Sequence, residues 1–345
     1  MGARTDRNKK KKSSWKKKLG IFFLILIILA IIAAGVAFGF VMSKVNKVNY
    51  TEISEEEIEI NEGVDTGLRN IVILGTDTRA DNLDEGRSDC IIIASIDEKT
   101  KDVKLTSVYR DSYFQIPGHG LDKVTHAYAY GGPALSMSTL NTNLDLDIKE
   151  YVAINFYTVM DVVDAVGGIE IDIDSEELKY INDYIQSINK EENKNGKNIT
   201  KTGPQTLSGV QALAYSRIRY TEGGDYKRTE RMRQVLGAVV DEVKKMNLIE
   251  LNKLADMILE KVNTNIKQSE ILSLLPQAAS YNISESVGWP YEVKGITLDR
   301  WYGVPVTLED NVIRLHQEVF EEEDYEVSEE VKEISDSIIR KTGYR

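Results

Sequence analysis

The chain has 345 residues, 42% of them hydrophobic and 28% charged, with a formal net charge of −12. That balance excludes a disordered or fibrous chain and leaves room for a membrane segment plus one large domain or two small ones. The charge is uneven: residues 1–18 carry nine Lys/Arg against one Asp, so the rest sums to −20, which argues against a nucleic-acid partner for the main domain.

Leu19–Ser43 is an uncharged, mostly aliphatic run of 25 residues, long enough to cross a bilayer as a tilted helix. A cleaved signal peptide would have a shorter apolar region and a small-residue cleavage site, which Met42-Ser43-Lys44 does not supply. The run therefore reads as an uncleaved anchor. The basic tail, 1–18, is expected in the cytoplasm and residues 44–345 outside, making a single-pass cell-membrane protein. Residues 44–67 are acidic and read as a stalk, 68–325 as the main domain, and 326–345 as an acidic, helical tail.

Ile71–Leu74 and Cys90–Ile93 are short, β-branched runs and predict two buried strands. Asp77 sits just past the first and Asp89 just before the second. If the strands are neighbours, both carboxylates reach one sheet edge. With Arg79 and Arg87 between them, they suit a divalent cation shared with a polyanion, Mg²⁺ and phosphate above all. A solvated acidic loop with local ion pairs is the alternative. The lone Cys90 reads as a core thiol.

Val103–Tyr109 alternates as a strand and ends at Arg110-Asp111. Gln115–Gly120 is a turn, and Gly131-Gly132-Pro133 starts a helix through about Asn143. Tyr151–Phe156 is a further strand. Val159, Val162, Val163 and Val166 have helical spacing, closed by Gly167-Gly168. Ile169–Asp174 alternates as a half-exposed strand, and residues 189–201 read as a mobile surface loop. Alternating strands and helices imply an α/β domain with helices flanking a central sheet.

A second charged cluster follows. A helix over about 207–215 leads into Arg217 and Arg219, and a Gly223-Gly224 loop opens a helix with an apolar stripe at Met232, Val235, Leu236, Val239 and Val240. Arg228, Arg231 and Arg233 fall in its first two turns, where cations oppose the helix dipole. A helix N-terminus with arginines suits a bound phosphate, whereas pairing with Glu222, Asp225 and Glu230 accounts for only part of five arginines within seventeen residues. Helices are expected near 248–261, 267–279 and 308–321, and strands near 292–298 and 303–307. Trp289 and Trp301 read as packing residues, His119 and His316 as surface or structural ones. The chain has no HExxH, Cys/His cluster, GxSxG or P-loop pattern, so zinc hydrolase, serine hydrolase and P-loop readings lose their usual support.

Taken together, ILGTDTR (73–79), GRSDCIIIASID (86–97), YRDSYFQIPGHGLDKVTHAYAYGG (109–132), YVAINF (151–156), VDAVGGIEIDI (163–173), LSGVQALAYSRIR (207–219) and GDYKRTERMRQV (224–235) resemble the LytR-CpsA-Psr family of bacterial cell-wall enzymes, over about 68–245, with the domain expected to continue toward the C-terminus. The resemblance implies an α/β domain with a central mixed sheet. It implies an enzyme that moves a glycopolymer, such as teichoic acid or capsule, from polyprenyl pyrophosphate to the 6-hydroxyl of peptidoglycan N-acetylmuramic acid. By motif, Asp77 and Asp89 would hold Mg²⁺, with Mn²⁺ as a substitute. Arg79, Arg87, Arg110, Lys123, Arg217, Arg219, Arg228 and Arg231 would line the pyrophosphate. Arg110, Asp111, Asp89 and Arg219 would carry the chemistry, with Asp89 or Asp111 as the base. Tyr109 replaces the family's usual Pro and Met232 its usual Gln. Two rivals use the same residues or the same layout: a pyrophosphatase, and a membrane-bound transcriptional attenuator. The second needs a cytoplasmic DNA-binding module that eighteen residues cannot fold.

Overall fold

The computed structural model describes residues 47–78, 86–267, 269–271 and 280–345. The basic tail, the apolar run 19–43, Arg79 and most of the helix expected over 267–279 lie outside these. Among the described residues no helix is long and apolar enough to cross a membrane.

Thirteen strands in chain order are β1 (Asn49–Tyr50), β2 (Arg69–Thr76), β3 (Ser88–Ile96), β4 (Asp102–Val108), β5 (Tyr113–Ile116), β6 (Gly120–Lys123), β7 (Glu150–Asn155), β8 (Ile169–Ile173), β9 (Gly203–Leu207), β10 (Asn263–Thr264), β11 (Asn282–Trp289), β12 (Val293–Thr297) and β13 (Trp301–Pro305) among the described residues. Seven of them form one mixed sheet in the order β1-β10-β7-β2-β3-β4-β11; β5–β6, β8–β9 and β12–β13 are separate hairpins. The helices are α1 (Val124–Leu144), α2 (Phe156–Ala165), α3 (Ser175–Glu192), α4 (Gly209–Arg217), α5 (Gly224–Lys245), α6 (Leu248–Ile258), α7 (Leu308–Val319) and α8 (Glu329–Thr342).

Alternation along the central strands builds two cores. Val72, Leu74, Ile91 and Ile93 face α1, α7 and α8. Ile73, Ile92, Ala94 and Leu105 take the other face, with Leu236 of α5. Burial on both faces is why these strands read as unbroken apolar runs.

Several elements depart from the sequence expectation. The first helix begins at Val124, and Gly131 (φ −153°) and Gly132 (φ 63°) kink it before Pro133 starts its second half. Residues 48–67 are no stalk: β1 pairs with β10, Ile58 is buried, and Asn61 Nδ2 donates to Asp145 Oδ1 at 2.6 Å. The tail is integral too, because α8 buries Val331, Ile334 and Ile338 in the first core. The expected mobile loop is short and pinned. Asn182 donates to the Ile199 carbonyl and accepts from its N–H, Asn189 does the same with Gly196, and Ile199 is buried. The asparagines sit on α3, a helix opened by an Asp174/Glu177 capping box.

Candidate active site

The site starts from a register irregularity. Gly75 of β2 pairs with Cys90 of β3, but the next residue, Thr76, pairs with Ser88, so Asp89 is the extra residue of a bulge. Bulges bend a strand and re-aim a side chain out of strict alternation. Asp89 thus lies inside β3, not ahead of it as expected.

Three guanidinium groups from three segments surround its carboxylate. Arg110, just past β4, donates through Nη1 to both oxygens at 2.9 and 2.8 Å. Arg228, in the first turns of α5 and only 2% exposed, donates from Nη2 to the Asp89 main-chain carbonyl at 2.8 Å and lies 3.7 Å from Oδ2. Arg219 Nη2 lies 3.8 Å from the same oxygen. Burial pushes the Asp89 carboxyl up, but Arg110, Arg228 and Arg219 outweigh it and hold the group below the usual carboxylate range. Beside this cluster Asp111 accepts from Lys123 Nζ at 2.6 Å and lies 3.5 Å from Arg110 Nε. Thr125 locks the start of α1 here, its hydroxyl on the Ser88 carbonyl at 2.9 Å and its N–H on that of Arg110 at 3.1 Å.

Asp77 follows β2 at the same sheet edge. It accepts from the Arg87 N–H at 2.8 Å, and its Oδ2 lies 3.6 Å from Arg87 Nη2. Gly86 is required beside it: its φ is +111°, and a Cβ there would sit 2.9 Å from Asp77 Oδ1. The other expected ligands disperse. Arg217 lies 3.7 Å from Glu191 and over the Tyr157 ring. Arg231 does not join the cluster. It is buried against Glu177 Oε1 at 2.8 Å, Thr221 Oγ1 at 2.8 Å and the Ile218 carbonyl at 3.2 Å, because a buried guanidinium must satisfy its donors locally. Arg79 is outside the described residues.

Asp77 and Asp89 offer the hard oxygen donors that Mg²⁺ takes when phosphate and water complete its shell. Among the described residues no group of three or more His, Cys, Asp or Glu could hold an ion unaided.

Behind Asp89 an apolar cavity of about 130 Å³ opens between the sheet and helices α2 and α5, lined by Ile73, Cys90, Ile92, Phe156, Val159, Met232 and Leu236 among others. Burial pushes the Cys90 thiol up to about 12. Met232, the departure from a usual Gln, is part of this apolar wall. Tyr109, the other departure, packs on Tyr226 at 4.5 Å between ring centroids. The family resemblance placed the lipid tail against aliphatic walls of the α/β core without naming the residues that form them. Their signal was there, in the inward alternation of Ile73 and Ile92 facing the α5 stripe, but the pairing that unites them is tertiary.

Guanidinium groups clustered on Asp89, next in the chain to a residue that lines an apolar cavity, form an arrangement that suits an anionic head group carrying a hydrocarbon tail. The chain belongs to the LytR_cpsA_psr family, whose model matches residues 36–302. It is 31% identical over 309 residues to the polyisoprenyl-teichoic acid–peptidoglycan teichoic acid transferase TagT of Bacillus subtilis (strain 168), covering 86% of this chain and 93% of that one. To TagU of Enterococcus faecalis, named for the same reaction, it is 35% identical over 247 residues, 69% and 75% of the two chains. The fold superposes on TagT with bound octaprenyl pyrophosphate lipid at a TM-score of 0.55 and 27% identity, covering 77% of this chain and 98% of that one.

Proposed function

We propose that the protein is a transferase that moves a teichoic-acid-type glycopolymer from polyprenyl pyrophosphate to the N-acetylmuramic acid 6-hydroxyl of peptidoglycan. The observation that carries this reading is the convergence of Arg110, Arg219 and Arg228 on Asp89, whose chain neighbour Cys90 lines the apolar cavity. Relatives named for this transfer, and one holding octaprenyl pyrophosphate, support it.

In the reaction the acceptor oxygen bonds to the sugar-linked phosphorus, the bridging P–O bond breaks, polyprenyl phosphate leaves, and the hydroxyl proton is lost. Charge accumulates on the bridging oxygen, which departs with the polyprenyl phosphate. Guanidinium groups already fixed around that position stabilise it without reorganising. Asp77 and Asp89 would hold Mg²⁺, or Mn²⁺ in its place, which supplies further neutralisation of the phosphates when bound. Asp89 is a poor proton acceptor while three arginines hold it ionised, and Asp111, paired with Lys123, is the other carboxylate beside the cluster that would take the proton.

The uncharged run 19–43 would anchor the chain once in the membrane, with residues 1–18 inside and the domain facing the wall. Protease added to wall-stripped cells should then digest the domain and spare the anchor; a protected domain means the orientation is reversed. Full-length protein mixed with lipid-linked polymer and peptidoglycan should yield polyprenyl phosphate and wall-bound polymer in equal amounts. Release of free phosphorylated polymer alone would identify a pyrophosphatase instead.

A further inference from the structure

Beside the arginines lies a group of side chains that the phosphoryl chemistry does not use. Its centre is Asp122, one residue before Lys123. Asp122 Oδ2 accepts from the Tyr130 hydroxyl at 2.7 Å and meets His126 Nδ1 at 2.8 Å. The Tyr302 hydroxyl, 3.5 Å from Asp122 Oδ1, donates to Asp299 at 2.7 Å. Tyr130 is 46% exposed and stacks on the exposed ring of His119 at 4.6 Å and 15°. The local sequence holds this pair rigid. Ile116-Pro117-Gly118-His119 closes β5–β6 as a type II turn, with Gly118 at φ +73° and the His119 N–H on the Ile116 carbonyl at 2.9 Å.

An exposed aromatic pair held in place by its own hydrogen bonds, with carboxylates at its rim, complements a pyranose ring. The C–H face of a sugar would lie on the ring, and its hydroxyl and acetamide donors would face Asp122 and Asp299. The cluster also stands on the correct side of the reaction. The cavity lies on the α2 and α5 face of the sheet, whereas Tyr128, Tyr302 and Val124 around the cluster belong to the core on the opposite face. Attack at phosphorus is in line, so the incoming hydroxyl must arrive opposite the departing lipid phosphate. Lys123 joins the two regions, its Nζ 2.6 Å from Asp111 and 5.8 Å from the Tyr302 ring centroid.

We infer that the Asp122–Tyr130–His119 cluster is a saccharide subsite that seats the N-acetylhexosamine glycan of the acceptor, an assignment that rests on the transferase reading above. The test uses the full-length chain in detergent, a lipid-pyrophosphate-linked saccharide donor and a GlcNAc–MurNAc tetrasaccharide acceptor. Tyr130→Ala should raise the acceptor KM at least tenfold, with the donor KM and kcat within twofold. Tyr130→Phe, which keeps the stacking ring, should stay within threefold of wild type, and this variant guards against a folding defect. An unchanged acceptor KM overturns the subsite. So does a rise confined to the donor KM, which would assign the cluster to the donor sugar. A second arm titrates the tetrasaccharide without donor, where Tyr130→Ala should bind at least tenfold more weakly. Glycan binding through Tyr130 in a protein that only hydrolyses its donor would sink the transferase reading and keep the subsite. Transfer by a protein whose Tyr130→Ala form binds glycan as wild type does the reverse.

Discussion

Asp89 is the residue on which the site turns, and its burial changes what its loss should do. A loop carboxylate could be removed at little cost, but this one lies in β3 under Arg110 and Arg228. Asp89→Asn should abolish turnover and also lower stability by roughly 1–3 kcal/mol, since buried guanidinium groups lose their counter-charge. The pH dependence has a definite sign. The folded pKa lies below the unfolded value of about 3.9, so the unfolded chain binds more protons in that interval. The contribution is complete above that value and lost as pH falls through the folded pKa. Urea unfolding between pH 3 and 6 should therefore show a shallower acid loss in Asp89→Asn than in wild type; parallel curves would contradict the pairing. The arginines should divide sharply. Arg231→Ala strands the buried Glu177 and should cost about 3–5 kcal/mol of stability. Arg219→Ala, at a half-exposed position, should change stability by no more than about 1 kcal/mol. It should weaken binding of polyprenyl pyrophosphate by about 1.5–3 kcal/mol. Denaturation and lipid titration on the two variants would expose any exchange of these roles.

At the scale of elements, the apolar cavity is a joint product of β2, β3, α2 and α5. Leu236→Trp should fill it and cut affinity for a long polyprenyl pyrophosphate at least tenfold, about 1.4 kcal/mol. Inorganic pyrophosphate should bind within twofold of wild type, because the arginines are untouched. Equal loss for both ligands would place the tail elsewhere. Cys90 reports on the same wall. An ordinary thiol titrates near 8.5, whereas this one is raised to about 12, so its alkylation rate should keep climbing with pH beyond 9 without levelling. A plateau near pH 9 would mean that Cys90 is not held in apolar surroundings.

On the scale of the whole molecule, residues 48–345 form one compact unit, and its core is closed by segments far apart in the chain. Each of Val331, Ile334 and Ile338 is worth about 1.5–3 kcal/mol of burial, together comparable with the stability of an entire domain. Removing residues 326–345 should therefore abolish cooperative unfolding in circular dichroism, and a truncated chain that still melts sharply would show α8 to be dispensable. The sequence alone determined the α/β class, the central strands and the helix carrying the arginines, because alternation and helical spacing are local patterns visible in any window. It also offered Asp77 and Asp89 as candidate ligands at one sheet edge and Arg228 within an arginine cluster denser than surface pairing requires, while Arg110 entered only through the family resemblance. Only the tertiary structure decided which arginines meet. Arg228 and Arg231, three residues apart, go respectively to Asp89 and Glu177, a choice made by elements remote in sequence. The same holds for β11, for the packed 48–67 segment and for the aromatic pair His119–Tyr130. Each depends on contacts between distant residues, whose free energy no local window contains.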